Sequence, residues 1–240
     1  MAKIIDVDAY GKGLLSYLNG NRKAKYSVYS RTVATERWPI AVFFRSYDEM
    51  PELEKVALAQ CRGEIHDVGA GAGGHALYLQ EQGQEVCAID LSEGAIETMK
   101  RRGVKKVEQI DFFHLGQEKK YDTLLMLMNG IGIAQTLEKL PLFFEQCKSL
   151  LNKDGQVILD SSDLIYLFQD EEGEVMIDLN SSYYGEIEYR IDFANRQGEW
   201  FKWLFIDQAT LTDMAAVHGF KTTILHEDDH YQYLAQLKLT

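Results

Sequence analysis

Five polar residues recur at one kind of place in this sequence. Asp67, Asp90, Asp111, Asn129 and Asp160 each stand at the end of a short apolar run, and the first is followed at once by Val68-Gly69-Ala70-Gly71-Ala72-Gly73-Gly74. One such aspartate alone is most simply a helix cap or a turn residue. Five in succession beside a glycine loop suit a ligand that carries hydroxyl, amine or cationic groups, because carboxylates accept hydrogen bonds and favour positive charge. Alternate glycines let the backbone turn tightly and approach that ligand with no Cβ in the way. Gly69, Gly71 and Gly74 also satisfy G-x-G-x-x-G, with Asp90 near the spacing of a ribose-binding acid, so the glycines alone admit a nicotinamide dinucleotide. Asp67 weighs against it: a pyrophosphate wants N–H donors and positive potential, whereas this carboxylate favours an ammonium or sulfonium.

To bring five strand ends together, a parallel sheet is needed. Apolar runs at Ile65 to Val68, Val86 to Ile89, Val107 to Ile110, Thr123 to Met128 and Val157 to Leu159 alternate with helical patterns at His75 to Gln82, around Ala95-Ile96-Met99 and around Leu142 to Cys147. Gly83, Gly103 and Gly155 fall where those helices should stop. Strand and helix in alternation predict an α/β fold, doubly wound and Rossmann-like, with ligands at the carboxyl ends of the strands. Ahead of it lie a short helical pattern in residues 1–20, an alternating run from Lys25 to Arg31, the apolar run Ile40 to Phe44, and a predicted helix from Pro51 to Gln60. Beyond Asp160, Tyr183 to Phe193 and Glu199 to Phe205 flank a turn cluster and predict a β-hairpin. Thr210 with Asp213 reads as a capping box opening a helix that ends at Gly219, and Thr222 to Leu225 and Tyr231 to Leu239 are extended. The expected division is an N-terminal cover over 1–58 and an α/β domain over 59–240, with a hairpin insertion at about 164–204.

Composition excludes several partners. The 240-residue chain carries a net charge of -12, unfavourable for a phosphate backbone, so no nucleic-acid partner is expected. Cys61, Cys87 and Cys147 are odd in number and far apart, which indicates neither a disulfide framework nor a zinc knuckle. No secretory leader pattern is visible, and the longest uncharged apolar run, Thr123 to Ala134, falls short of the roughly 20 residues that span a bilayer. A cytoplasmic protein without a membrane partner is the expectation. His226-Glu227-Asp228-Asp229-His230 has metal-ligand types but falls in a predicted polar turn, so it reads as a solvated loop and no metal is expected.

With these residues in view, the sequence resembles the class I S-adenosylmethionine-dependent methyltransferases. The likeness rests on Asp67-Val68-Gly69-Ala70-Gly71-Ala72-Gly73, Asp90, Asp111-Phe112 and Leu127-Met128-Asn129-Gly130. It covers roughly residues 60–165, and residues 205–240 resemble the family's antiparallel end of the sheet, so a mostly parallel sheet with an antiparallel C-terminal strand is implied. The resemblance implies S-adenosyl-L-methionine as cofactor, with Asp67, Gly69, Ala70, Gly71, Gly73, Asp90, Leu91, Asp111, Phe112 and Asn129 binding it. The glycine loop would hold the methionine part and Asp67 its amino group, directly or through water. Asp90 would take the ribose hydroxyls, Asp111 the adenine amino group with Phe112 supporting the ring, and Asn129 would lie near the methionine end.

Methyl transfer by in-line displacement asks the protein chiefly for alignment, which can supply roughly 7 to 11 kcal/mol of the barrier. A base is needed only where the acceptor must lose a proton, and Asp160, Asp163 and His75 are the candidates. The sequence departs from the N-P-P-Y type of fourth motif used on DNA bases and protein amides, which, with the acidic charge, points to a small-molecule acceptor. Tyr10, Phe44, Arg45, Tyr47, Tyr166, Tyr183, Tyr184 and Trp203 are candidates to line its pocket, and Arg45 could meet a carboxylate. An NAD(P)-dependent oxidoreductase, a non-catalytic S-adenosylmethionine-binding protein and an aminopropyltransferase using decarboxylated cofactor are the alternative readings.

Overall fold

A computed structural model describes residues 4–169 and 182–240. Part of the expected insertion, 170–181, and residues 1–3 of the expected cover lie outside the described residues. In chain order the elements are β1 (Ile4–Ile5), α1 (Ala9–Leu18), β2 (Lys25–Ser30), β3 (Glu36–Pro39), α2 (Glu52–Gln60), β4 (Glu64–Val68), α3 (Gly74–Glu81), β5 (Glu85–Asp90), α4 (Glu93–Arg102) and β6 (Val107–Gln109). There follow β7 (Tyr121–Met126), α5 (Leu140–Leu150), β8 (Leu151–Ser162), β9 (Glu186–Phe193), β10 (Arg196–Leu204), α6 (Gln208–Val217), β11 (Phe220–Glu227) and β12 (Gln232–Leu239).

The larger sheet runs β11-β12-β8-β7-β4-β5-β6. Its strands are parallel except β12, which pairs antiparallel with both β8 and β11. The winding reverses at β4, which has β5 on one side and β7 on the other, and that reversal opens the crevice in which such sheets bind ligands. The strands it joins are apolar on both faces because helices cover both: Leu124, Leu125, Val157, Ile158 and Leu159 are wholly buried.

The cover and the insertion are not separate additions. They share a second sheet, β1-β10-β9-β2-β3, in which Val28 of β2 pairs with Ile191 of β9. Helix α1 ties this sheet to the larger one. Asp8 caps α1 by accepting from Gly11 N–H (3.0 Å) and reaches the start of α4, accepting from Ser92 Oγ (2.6 Å) and Gly94 N–H (2.8 Å). Contact there is backbone to backbone: a Cβ on Gly94 would sit 2.4 Å from Gly11 C.

Two expectations about boundaries are corrected. α5 ends at Leu150 and Gly155 lies inside β8, so that glycine stops no helix. The cap of α6 is Asp207, whose side chain accepts from Thr210 N–H (2.8 Å), so the helix starts before Thr210 rather than at it. By contrast Gly103, with φ of 99°, ends α4 where the sequence predicts.

Candidate active site

A cavity of about 1230 Å³ lies between the carboxyl ends of β4, β5 and β7 and the inner face of the second sheet. Ligand pockets commonly enclose about 300 to 1,000 Å³, so there is room for two small ligands side by side. The floor is polar. Asp67 ends β4 and is buried, its Oδ2 has no hydrogen-bond partner, and burial pushes its carboxyl up to about 6. An orphaned, desolvated carboxylate oxygen is a place made for a cation. Gly69 and Gly71 hold φ of 72° and 57°, and a Cβ on Gly71 would lie 2.8 Å from Tyr10 Oη, so the loop is narrow as well as left-handed. Gly73 lines no part of the cavity; it caps α3, and a Cβ there would strike Met99 and Val104.

Asp90 accepts from Gly71 N–H through Oδ2 and from Ser92 N–H through Oδ1, both at 2.9 Å. The second strand end thus fixes the glycine loop, and each carboxylate oxygen keeps a further lone pair for a hydroxyl. Leu91, exposed, and Asp111 and Phe112 line the cavity beyond it; Asp111 Oδ1 accepts from Phe113 N–H (2.9 Å), and Phe112 is buried against Phe143.

Beside Asp67 runs a string of charge that the sequence did not reveal. Arg45 Nη2 donates to Glu54 Oε1 at 2.6 Å, and Glu54 Oε2 lies 3.0 Å from His75 Nε2. Burial opposes the charge on Glu54, but His75 and Arg45 outweigh it and hold the carboxyl below its usual range. Burial likewise opposes protonation of His75, and Glu54 and Asp67 outweigh it, so the imidazole titrates above its usual value. All three residues line the cavity where α3 begins. His75 Nε2 is thus held on Glu54, which, with Asp67, favours the charged imidazole. Glu54 was missed because the pairing joins a cover residue, a residue of α2 and one of α3.

The turn after β7 is strained. Met128 and Asn129 have φ of 66° and 61°, a region non-glycine residues seldom occupy, and they do so where the fourth strand meets the cavity. The second sheet clamps it: Asn129 Nδ2 donates to Leu204 O (2.9 Å), and Trp203 Nε1 donates to Asn129 O (3.1 Å). From below, Asp160 Oδ1 accepts from Gly130 N–H and Oδ2 from Gln232 Nε2, each at 3.0 Å. Asp160 is buried under the turn, which it anchors, and does not line the cavity. Asp163 does not line the cavity either; its Oδ1 accepts from Tyr184 Oη (2.7 Å) and Ile165 N–H (2.9 Å).

Of the expected pocket side chains, Tyr10, Arg45, Tyr166 and Trp203 line the cavity. The others have different partners. Phe44 packs on Tyr17 and under Arg102; Ile40–Phe44 is a 3₁₀ turn, so Phe43 shares the inward face of Ile40 and Phe44 points away. Tyr47 stacks on Tyr78 at 4.1 Å. Tyr183 Oη donates to Asp207 (2.6 Å), and Tyr184 is held by Asp163. Trp38, Phe43, Tyr189, Ile191 and Phe201 line the cavity and were missed. Their signal was the strict alternation Tyr189-Ile191 and Phe201-Trp203, which marks one face of a strand without saying which face turns inward.

Among the described residues no three His, Cys, Asp or Glu side chains converge as a metal site, and His230 stands exposed at the cavity edge. No helix of the described residues is long and apolar enough to cross a membrane.

Known proteins supply the comparison for this geometry. A family described as a methyltransferase domain matches residues 65–155, the stretch from β4 to β8 that carries all five strand-end polar residues but Asp160. A SAM-dependent methyltransferase from Bacteroides fragilis, crystallised with S-adenosyl-L-homocysteine, is 43% identical, superposes with a TM-score of 0.92, and is matched over 100% of this chain and 98% of its own. An uncharacterized methyltransferase from Staphylococcus carnosus is 27% identical over 179 residues, 71% of this chain and 84% of that protein. A putative methyltransferase from Dictyostelium discoideum is 27% identical over 112 residues, 46% of this chain and only 40% of that protein's length.

Proposed function

This chain belongs to the S-adenosylmethionine-dependent methyltransferases, and from that premise we propose that it methylates a small molecule held beneath the aromatic face of its second sheet. The observation that carries the reading is the cavity: it joins the strand ends to that face and is large enough for cofactor and acceptor together. Membership of that family sets aside the nicotinamide reading that the glycines alone allowed.

S-adenosylmethionine, when bound, supplies a methyl group on a sulfonium that leaves as a neutral thioether. The residues present fit it. Asp67 Oδ2, buried and unpartnered, would take the ammonium, and Arg45, His75, whose titration is raised, and the N-terminus of α3 favour a carboxylate beside it. Asp90 would hold the ribose hydroxyls, with Leu91 along its edge, and Asp111 and Phe112 the adenine. Gly69, Ala70 and Gly71 would follow the methionine part, and Asn129 would border its reacting end.

With both oxygens of Asp160 and Oδ1 of Asp163 hydrogen-bonded and His75 Nε2 on Glu54, the chain's contribution in this reading is alignment and exclusion of water. The clamped Met128-Asn129 turn fixes where the acceptor meets the donor. In this reading the described parts of the cover over 1–58 and of the insertion at about 164–204 form one roof for the acceptor, and the α/β domain over 59–240 carries the cofactor. Three buried, unpaired thiols fit a reducing, cytoplasmic setting.

A test is incubation with methyl-labelled S-adenosylmethionine and a fractionated cell extract. Label appearing in the small-molecule fraction is the expected outcome. Label confined to protein or nucleic acid would remove the small-molecule reading.

A further inference from the structure

The roof sheet sorts its residues by charge. Strand alternation turns Val28, Trp38, Tyr189, Ile191, Phe201 and Trp203 toward the cavity. Cations of the same strands have partners on the outer face: Arg190 lies 4.5 Å over the Tyr29 ring, Lys202 pairs with Glu186 at 3.5 Å, and Arg37 donates to Ser27 Oγ at 2.6 Å; Arg31, just past β2, pairs with Glu188 at 2.7 Å. Arg45 alone among the described lining residues is an arginine or lysine, and its Nη2 is on Glu54. The one charged residue that the roof strands offer inward is an acid, Glu36, at the exposed edge of the cavity, where its Oε2 accepts from Trp38 Nε1 at 2.5 Å.

Such a chamber discriminates by charge. Aromatic faces carry the negative end of the ring quadrupole and attract cations. An anion entering it would leave its hydration for rings and an acid, whereas a cation would meet both favourably. We propose that the acceptor carries an amine, present as an ammonium, on a flat and largely apolar body, with the body among Trp38, Tyr189, Phe201 and Trp203 and the ammonium facing Glu36. This deepens the small-molecule reading and rests on it; the amine serves as the anchor, whichever atom is methylated.

Tryptamine and indole-3-acetate share a ring system and differ in the sign of their charge, which makes them matched probes. Each is titrated by calorimetry at neutral pH into the full-length protein saturated with S-adenosylhomocysteine. Tryptamine should bind at least about tenfold more tightly than indole-3-acetate. Glu36→Gln should remove most of that preference and leave S-adenosylhomocysteine affinity unchanged, while Trp38→Leu should weaken tryptamine. Equal or tighter binding of indole-3-acetate, no binding of either probe, or a tryptamine affinity indifferent to Glu36→Gln would overturn the inference while the cofactor reading stands. Failure of S-adenosylhomocysteine itself to bind would overturn both.

Discussion

The two halves of the cavity are built in opposite ways. The floor is polar, comes from the ends of β4, β5 and β7, and leaves a buried carboxylate oxygen without a partner. The roof is aromatic, comes from β2, β3, β9 and β10, and keeps its cations on the far side. A floor that must hold one invariable ligand is specified by polar groups at fixed spacing. In the proposed reading, the roof accommodates an acceptor and is specified by shape and by the sign of its charge. The two meet at Arg45, Glu54 and His75, and again where Trp203 clamps Asn129.

If that division holds, substitutions should separate by the ligand they affect. The largest effect is expected at the junction. Glu54→Gln leaves Arg45 and His75 facing each other without their carboxylate, and should lower stability by about 3 kcal/mol or more, read from denaturant unfolding. Asp67→Asn should weaken S-adenosylhomocysteine by about 1.5 to 3 kcal/mol, the worth of a hydrogen bond to a charged group, and leave acceptor binding intact. The same substitution should raise the melting temperature of the ligand-free protein at neutral pH. Asp67 titrates near 6 in the folded chain, above the usual carboxylate range, so folding binds a proton there. Its contribution to stability therefore declines as pH rises toward 6, and above that the buried carboxylate is offset only in part by His75 and the backbone of Ala76.

The same shift predicts a pH profile. Affinity for S-adenosylhomocysteine should fall as pH drops below about 6, where Asp67 takes up a proton that an ammonium partner excludes. Isothermal titration between pH 5 and 8 reads it, and the part due to Asp67 should be missing in Asp67→Asn. Smaller still is Trp203→Phe, which keeps a ring in the roof but loses the bond to Asn129 O, worth about 1 kcal/mol. Turnover should drop several-fold, with cofactor affinity within twofold of the parent protein. A change in cofactor affinity as large as that of Asp67→Asn would break the division between floor and roof.

Legibility in the sequence divides along the same line. Asp67, Asp90, Asp111 and Asn129 could be located because each depends on a local pattern, an apolar run that ends in a polar residue. Asp160 obeys the same pattern, yet it lies under the Gly130 turn, since pattern places a residue at a strand end without saying what packs above it. The roof depends on pairings between distant segments, Val28 with Ile191 and Tyr29 with Arg190, which no window of sequence contains. Hence Tyr183 and Tyr184 stood out as aromatics but serve Asp207 and Asp163, while Tyr189 and Phe201 went unnoticed. Phe43 and Phe44 differ only in the phase of a 3₁₀ turn, a phase that tertiary packing of Ile40 sets.

The central claim is that Asp67 and the strand ends hold the cofactor while the roof holds the acceptor. Its most direct test is the affinity of S-adenosylhomocysteine for the parent protein, Asp67→Asn and Trp203→Phe, measured side by side by isothermal titration calorimetry at pH 7.5. The prediction is tight binding to the parent, a loss of about tenfold or more in Asp67→Asn and little change in Trp203→Phe. Undiminished binding to Asp67→Asn would contradict it.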